Sequence, residues 1–320
     1  VDPSQVFRGA ATLGFGAYAD VGIDVTDRLK LIPSLRLDMY LIEGKDRGSV
    51  DPRLVARYKL DKQWTAKAYV GEFSQPPQPE SVDTRFGNPN VGIEHATHFG
   101  LGYEWKPSRQ WSVDNEIYYA RRRDLVVFTD EVQQNDDGTF TYVNFVNSGR
   151  RNSMGFEIMI KREITEKAFG WLSYTYSKAS QKNRPTNDKF IPTAFDQSHV
   201  MNAVASYKPG RGFELGARFQ LATGRPDTPI VGGTYDADTG SYTAIRGEVR
   251  SQRTPTYRQI DVRVEKVWPY NTWSLGLYLD VINVANLENV EAFEYDYRFK
   301  NKAPITSYPI LPTLGLRGTW

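Results

Sequence analysis

The chain has 320 residues, 40% of them hydrophobic, with no Cys and 40 Lys plus Arg against 38 Asp plus Glu, a net charge of +2. Near-neutral charge excludes a protein built mainly to grip nucleic acid, and the lack of Cys excludes disulfide scaffolds, thiolate metal sites and cysteine nucleophiles. No apolar run approaches the ~20 residues of a membrane helix.

The 19 Tyr, 16 Phe, 7 Trp and 26 Gly favour strands and tight turns. A start at Val1, with neither Met nor a signal peptide, is expected of a processed chain or a fragment. Period two then runs from end to end. Leu31, Pro33, Leu35, Leu37, Met39 and Leu41 share one face, with Lys30, Ser34, Arg36, Asp38 and Tyr40 between them. The same alternation recurs in Phe99 to Trp105, Phe213 to Leu221 and Trp273 to Val281. No stretch shows the spacing of an amphipathic helix. The pattern predicts an all-β chain of thirteen strands, near 12–26, 29–42, 52–61, 63–74, 96–106, 110–128, 153–163, 168–178, 198–208, 212–223, 257–268, 272–284 and 308–320. Residues 139–147 are expected to extend a hairpin beyond the main body.

Most of these strands reach the ~9–11 residues that cross a bilayer. Short turns, at Asp27-Arg28, Asp61-Lys62, 106–109, 164–167, 209–212 and 269–271, alternate with long loops at 43–51, 75–95, 129–152, 179–197, 224–256 and 285–307. That alternation is the pattern of outer-membrane barrels, with short turns in the periplasm. Trp64, Trp105, Trp111, Trp171, Trp268 and Trp273 all lie near short turns and Trp320 ends the chain, as an interfacial girdle requires. Trp171 has the wrong parity for a lipid-facing ring and would need a bulge. A soluble β-sandwich is the alternative, but sandwiches rarely keep such long strands or segregate every Trp to one end. An odd antiparallel set cannot close on itself, so further strands, from this polypeptide or another chain, are expected to complete the wall.

Several short motifs then carry a resemblance. Gly87-Asn88-Pro89-Asn90 with Glu94, Pro33 to Asp38, Asp51-Pro52-Arg53, Asn147-Ser148-Gly149 with Gly155-Phe156-Glu157, Thr223-Gly224-Arg225-Pro226 with Pro229, Ile260 to Arg263, and Val281 to Asn286 occur in order along the chain. Together with the terminal Leu314, Leu316 and Trp320, they resemble TonB-dependent outer-membrane receptors. One departure is Val91-Gly92-Ile93, where that family usually has Leu-x-Pro. The resemblance implies a transmembrane antiparallel β-barrel of about 22 strands closed by an N-terminal plug domain. This chain shows about thirteen strands and neither plug nor TonB box, so it is expected to be the C-terminal part of such a barrel, spanning residues 1–320.

The family further implies a receptor in the bacterial outer membrane that actively imports a scarce nutrient: siderophore-iron, cobalamin, saccharide or peptide. Its implied partners are outer-membrane lipid and lipopolysaccharide, the TonB energy-coupling complex, and the plug and remaining strands. No nucleic acid, cofactor or enzymatic activity is implied. A passive porin and a structural or secretion-linked barrel are the competing readings. Arg36, Asp38, Arg53, Arg57, Glu157, Arg218, Asp261, Arg263 and Asp280 are expected to face the lumen and plug. Arg85, Asn88, Asn90, Tyr235, Tyr242 and Arg246, in the long loops, are the candidate ligand contacts. His95 and His98 at i, i+3 on a strand point to opposite faces, poor geometry for a shared metal. His199 near Asp196 and Ser198 is a commonplace strand opening, not a catalytic arrangement. Asp236 to Gly240 mimics part of a calcium loop but lacks its closing Glu, and reads as a turn. Arg121 and Arg123 turn outward above the apolar band, either as a solvated charge run or as partners for lipopolysaccharide phosphates.

Overall fold

The computed structural model describes residues 12–83, 87–134, 140–182 and 189–320, with backbone alone for 130–134 and 140–143. Thirteen strands follow one another in a single hydrogen-bonded sheet, each beside its sequence neighbour. They are β1 (Thr12–Asp20), β2 (Leu29–Ile42), β3 (Lys45–Lys59), β4 (Trp64–Gln75), β5 (Glu94–Ser108), β6 (Trp111–Gln134) and β7 (Phe140–Arg162). Then come β8 (Ala168–Lys182), β9 (His199–Gly210), β10 (Phe213–Ala222), β11 (Tyr257–Pro269), β12 (Ser274–Ile282) and β13 (Leu311–Thr319). Among the described residues no helix is long and apolar enough to cross a membrane. The chain divides into two compact units, the described parts of 1–103, 117–154 and 179–191, and of 104–116, 155–178 and 192–320.

All thirteen expected strands are present, and the differences lie at their ends. The expected loop at 43–51 is instead a two-residue turn, Glu43-Gly44, with φ of 50° and 71°. Two successive positive φ angles match the right-handed twist of a hairpin, and β3 starts directly after them at Lys45. Likewise, β6 and β7 run deep into the expected loop 129–152, and residues 140–147 continue β7. The first expected strand breaks after Asp20, leaving only Ile23–Asp24 paired with β2.

In the first unit, β1 lies against β2 with Phe15 opposite Met39, Ala17 opposite Leu37 and Ala19 opposite Leu35 on one face. The other face carries Gly16 opposite Asp38, Tyr18 opposite Arg36 and Asp20 opposite Ser34. In the second unit, Leu215, Ala217 and Phe219 of β10 match Tyr207, Ala205 and Ala203 of β9. Farther on, Leu277 of β12 meets Lys266 and Leu316, and Leu279 meets Val264 and Leu314. The unbroken β8–β9 register sets Trp171 opposite Val204, one residue out of phase with Leu172 and Ala203. Trp171 therefore belongs to the polar-face parity, and no bulge is needed to explain it.

Burial is inverted relative to a water-soluble domain. Leu314 and Leu316 are 70% and 71% exposed and Phe15 is 65% exposed, while Asp51, Glu265 and Asn283 are among the most buried side chains. Large contiguous apolar surface is intolerable in water, but it is the natural exterior of a strand that crosses lipid. Leu277→Arg is expected to cost about 2–4 kcal/mol near the bilayer midplane, against almost nothing for Asp238→Arg in a loop turn. Denaturant titration of the liposome-inserted protein, followed by heat-modifiable gel migration, checks this; equal tolerance at both positions would contradict the lipid face.

Candidate functional site

The polar face of the first unit is a run of mutually satisfied charges. Arg36 donates a bidentate pair to Asp38, 2.6 Å from Nε and 2.7 Å from Nη2. Gly16, opposite Asp38, is what makes room: a Cβ there would lie 2.4 Å from the Asp38 carboxylate. Asp51, 1% exposed, accepts the Ser74 hydroxyl at 2.6 Å and the Ser74 N–H at 3.0 Å. Arg53 stacks over the Phe73 ring at 4.1 Å. Arg57 shares this face, opposite Lys30 and Lys67.

Above it, one residue that sequence reasoning missed organises the long-loop end. The buried Arg47 donates to the carbonyls of Val91 (2.9 Å), Pro89 (2.8 Å) and Ile42 (3.0 Å). It thereby holds segment 87–92 against the β2–β3 hairpin, where Ile42, Val82 and Val91 form a small core. Asn88 donates to the Phe145 carbonyl at 2.7 Å and accepts from the Asn90 N–H at 2.9 Å. Asn90 accepts from Lys45, and Asn147 accepts from the Gly92 N–H at 2.6 Å. The Gly-Asn-Pro-Asn and Asn-Ser-Gly motifs thus dock one segment, and the side chains of Asn88 and Asn90 already have partners within the chain. Arg85 lies outside the described residues. An Arg in a polar run before a strand is the only sequence signal for Arg47, and it does not distinguish a clamp from a solvated charge.

In the second unit the polar face becomes a cross-strand ladder. Arg218 on β10 stands directly opposite Asp261 on β11 and donates to it at 2.7 Å. Asp261 also accepts the Asn283 N–H at 2.9 Å and Gln259 at 2.8 Å. Arg263 bridges Asp280 at 2.7 Å and Glu265 at 3.0 Å, and Glu265 in turn accepts from Arg317 of β13. The last contact crosses β12 over Gly276, whose added Cβ would meet the Glu265 carboxylate at 2.9 Å. Glu157 of β7 stands near Glu116 of β6. So the face carries two charge clusters, Arg218 with Asp261, and Arg263 with Asp280, Glu265 and Arg317.

The loops of this unit present aromatic rings and cations. Strands Ile230–Asp236 and Ser241–Arg246 form a hairpin with Tyr235 opposite Tyr242, rings 5.2 Å apart. Tyr297, from the loop between β12 and β13, meets Tyr242 edge-on at 5.9 Å, and Arg298 covers Tyr297 at 4.9 Å. Gly233 lets the two loops touch, because a Cβ there would lie 2.6 Å from the Arg298 carbonyl. Arg246 closes the base of the hairpin opposite Ile230 and is exposed. The turn 236–240 is held by the Asp236 carboxylate, which accepts the Asp238 N–H at 2.9 Å, and Gly240 supplies a φ of 65°. Those N–H groups, Asp238 first, hold the Asp236 carboxyl below the ordinary carboxylate range. At the tip of the second loop, the Lys300 N–H does the same for Asp296. Nearby, Gln197, Thr223, Arg225, Tyr257 and Glu291 help line a cleft of about 480 Å³. Its wall needs Gly224, since a Cβ there would fall 1.5 Å from the Thr254 carbonyl. Arg253 ties the same region together, donating to Gly224 and Asp196. Among the histidines, His199 meets the Tyr174 hydroxyl at 2.8 Å and His95 meets that of Ser74 at 3.1 Å.

An antiparallel sheet with one exposed apolar face, one charge-paired face, and aromatic loops at one end defines a wall segment of a transmembrane β-barrel. Residues 2–287 match the family of TonB dependent receptor-like β-barrels, and the chain belongs to that family of outer-membrane transport receptors, which are not enzymes. It is 22% identical over 258 residues to the ferric-pyoverdine M114 receptor PbuA of Pseudomonas sp. (strain M114), covering 73% of this chain and 30% of that protein. Its fold matches the ferric-catecholate import receptor Fiu of E. coli K12 with a TM-score of 0.68 at 18% identity, over 96% of this chain and 44% of Fiu. The ferripyoverdine receptor of Pseudomonas aeruginosa gives 0.68 at 13% identity, over 95% and 38%. The chain thus spans less than half the length of these relatives.

Arg47→Ala is expected to strand the carbonyls of Val91 and Pro89, at about 1–3 kcal/mol for each group left unpaired. Hydrogen exchange of residues 87–92 should then accelerate while exchange in β9–β12 stays unchanged; unaltered exchange at 87–92 would show that Arg47 is no clamp.

Proposed function

We propose that the chain forms part of an energised importer of ferric siderophores, with Tyr235, Tyr242, Tyr297 and Arg298 as its first ligand contact. The observation that carries this reading is the joining of three tyrosine rings, Tyr235 and Tyr297 exposed and Tyr242 half-buried between them, and a guanidinium on two loops that touch at Gly233. Aromatic faces pack against the flat aryl or planar chelating groups of such ligands, and the cation complements an anionic ferric complex. Relatives named for ferric-catecholate and ferric-pyoverdine receptors support the same ligand class. Arg246, exposed at the base of the same hairpin, is a secondary contact on this reading.

The charge-paired face is then the lumenal one, and the plug packs against Arg36, Asp38, Arg53, Arg57, Glu157, Arg218, Asp261, Arg263 and Asp280. Charged groups at such an interface must be hydrogen-bonded, and the pairs made within the wall leave a polar face against which a polar plug packs without stranding them. TonB, drawing on the inner-membrane proton gradient, displaces the plug to admit the ligand. In the full receptor, Tyr242→Ala combined with Arg298→Ala should weaken binding of a ferric tris-catecholate by about tenfold or more. Titration by intrinsic fluorescence quenching measures this, and unchanged affinity would overturn the assignment of the surface. Radiolabelled-iron uptake in cells should cease on addition of an uncoupler; uptake that persists, with a large steady conductance in a planar bilayer, would establish a porin instead.

A further inference from the structure

We propose that Asp296 is the positioning residue of the tyrosine–guanidinium surface, preorganising Tyr297 and Arg298 for the ligand through its hydrogen bonds without touching the ligand itself. This role rests on the ligand contact proposed above and adds what sets its geometry. Strand Val290–Tyr295 pairs with Lys302–Thr306, Tyr295 opposite Lys302, so residues 296–301 form the tip that joins them, with Tyr297 and Arg298 inside it. Main-chain bonds tie the tip: the Asp296 N–H donates to the Asn301 carbonyl at 3.0 Å, and the Phe299 N–H to the Asp296 carbonyl at 2.9 Å. The Asp296 carboxylate does the rest. One oxygen accepts the N–H of Arg298 at 3.2 Å and of Lys300 at 2.9 Å, and the other accepts the Asn301 side-chain amide at 2.8 Å. A short Asp side chain suits this task, because its oxygens reach backbone donors a few residues further on.

Left to itself the tip would not hold this shape. Phe299 has a φ of 56°, a region that bulky side chains rarely adopt and that persists only where the surroundings impose it. The fit against the facing hairpin is close, since a Cβ on Gly233 would lie 2.6 Å from the Arg298 carbonyl and 3.1 Å from the Phe299 ring. A relaxed tip would shift that carbonyl and ring together. Tyr297 would then leave its edge-on contact with Tyr242, where the ring centroids are 5.9 Å apart.

The contacts separate positioning from binding. Asp296 takes the backbone N–H of Arg298 and leaves the guanidinium, which lies over the Tyr297 ring at 4.9 Å and has no ion-pair partner among the described residues. Neutral donors, the Lys300 N–H first, satisfy Asp296 and keep its carboxyl below the ordinary carboxylate range. Its oxygens are therefore used within the tip. An anionic ligand meets Arg298 in a fixed place without having to order the loop first, and such preorganisation strengthens binding.

The test titrates the full receptor with a ferric tris-catecholate, read by intrinsic fluorescence quenching. Asp296→Ala should weaken binding about tenfold and speed hydrogen exchange at Arg298 and Lys300. Asp296→Asn keeps an acceptor oxygen in place and should stay within about twofold of the native protein. Asp296→Glu keeps the charge but displaces the oxygens, and should lose affinity as Ala does. Added to Tyr297→Ala with Arg298→Ala, Asp296→Ala should cause no further loss, because nothing is left to position. Unchanged affinity in Asp296→Ala, rescue by Glu and not by Asn, or an additive loss in the triple variant would each overturn the role. Should the Ala variant lack normal heat-modifiable migration, the comparison of Glu with Asn carries the test, and equal affinity of those two would be equally fatal. If Tyr242→Ala with Arg298→Ala leaves affinity unchanged, the ligand surface is wrong and this role falls with it; a loss there with none in Asp296→Ala removes the positioning role alone.

Discussion

A backbone N–H or C=O that enters hydrocarbon must find its partner within protein, and the sheet ladder is how this chain meets that demand. Everything else follows from the ladder. Pairing neighbour to neighbour forces side chains to alternate between two faces, so a sequence with period two must sort its chemistry by face. One face is left to lipid, where Leu314, Leu316 and Phe15 stay exposed without penalty. The other collects charge, and its clearest contacts are ion pairs: Arg36 with Asp38, Arg218 with Asp261, Arg263 with Asp280. The glycines on this face are spatial necessities, since Gly16 and Gly276 stand where a side chain would displace a carboxylate.

The same constraint explains what the amino-acid sequence disclosed. Where strands cross lipid, apolar residues recur at every second position, and the thirteen strands can be read directly. Where they leave it, both faces become polar and the signal vanishes. That is why Lys45–Val50 reads as loop although it is strand, and why the upper reaches of β6 and β7 are equally hidden. Trp171 was misleading for a different reason, because proximity to a short turn says nothing about which face a ring takes. The charged face was legible by parity, but its pairing was not: Glu265 reaches Arg317 only because Gly276 intervenes on a strand between them.

The family motifs acquire physical content in the same way. Asn283 and Asn286 adopt φ of 52° and 49°, a conformation Asn tolerates better than most residues. Asn283 then uses its side chain to hold the backbone of Leu287 and Tyr308, and Asn286 accepts the Ile310 N–H. Asn289, just beyond, exchanges two hydrogen bonds with the Arg258 backbone. Together these residues replace the ladder where β12 ends, so that a long loop can leave the sheet without orphaned peptide groups. Gly224 and Arg253 serve the loop after β10 in a comparable way, and Arg47 with Asn88 and Asn147 serves the segment before β5. Loops anchored this firmly at their bases can carry aromatic residues at their tips in fixed positions, which is what ligand recognition by a rigid scaffold requires.

The central claim is that alternate residues of one strand face lipid and a polar interior, and the absence of native Cys makes it directly measurable. Single cysteines at Leu275, Gly276, Leu277, Tyr278, Leu279 and Asp280, spin-labelled in the full receptor in liposomes, report collisions with oxygen, which concentrates in lipid, and with a water-soluble nickel chelate. Oxygen accessibility should peak at 275, 277 and 279 and fall at 276, 278 and 280, with period two along the strand. A profile without that alternation, or one with nickel accessibility highest at 277 and 279, would contradict the account.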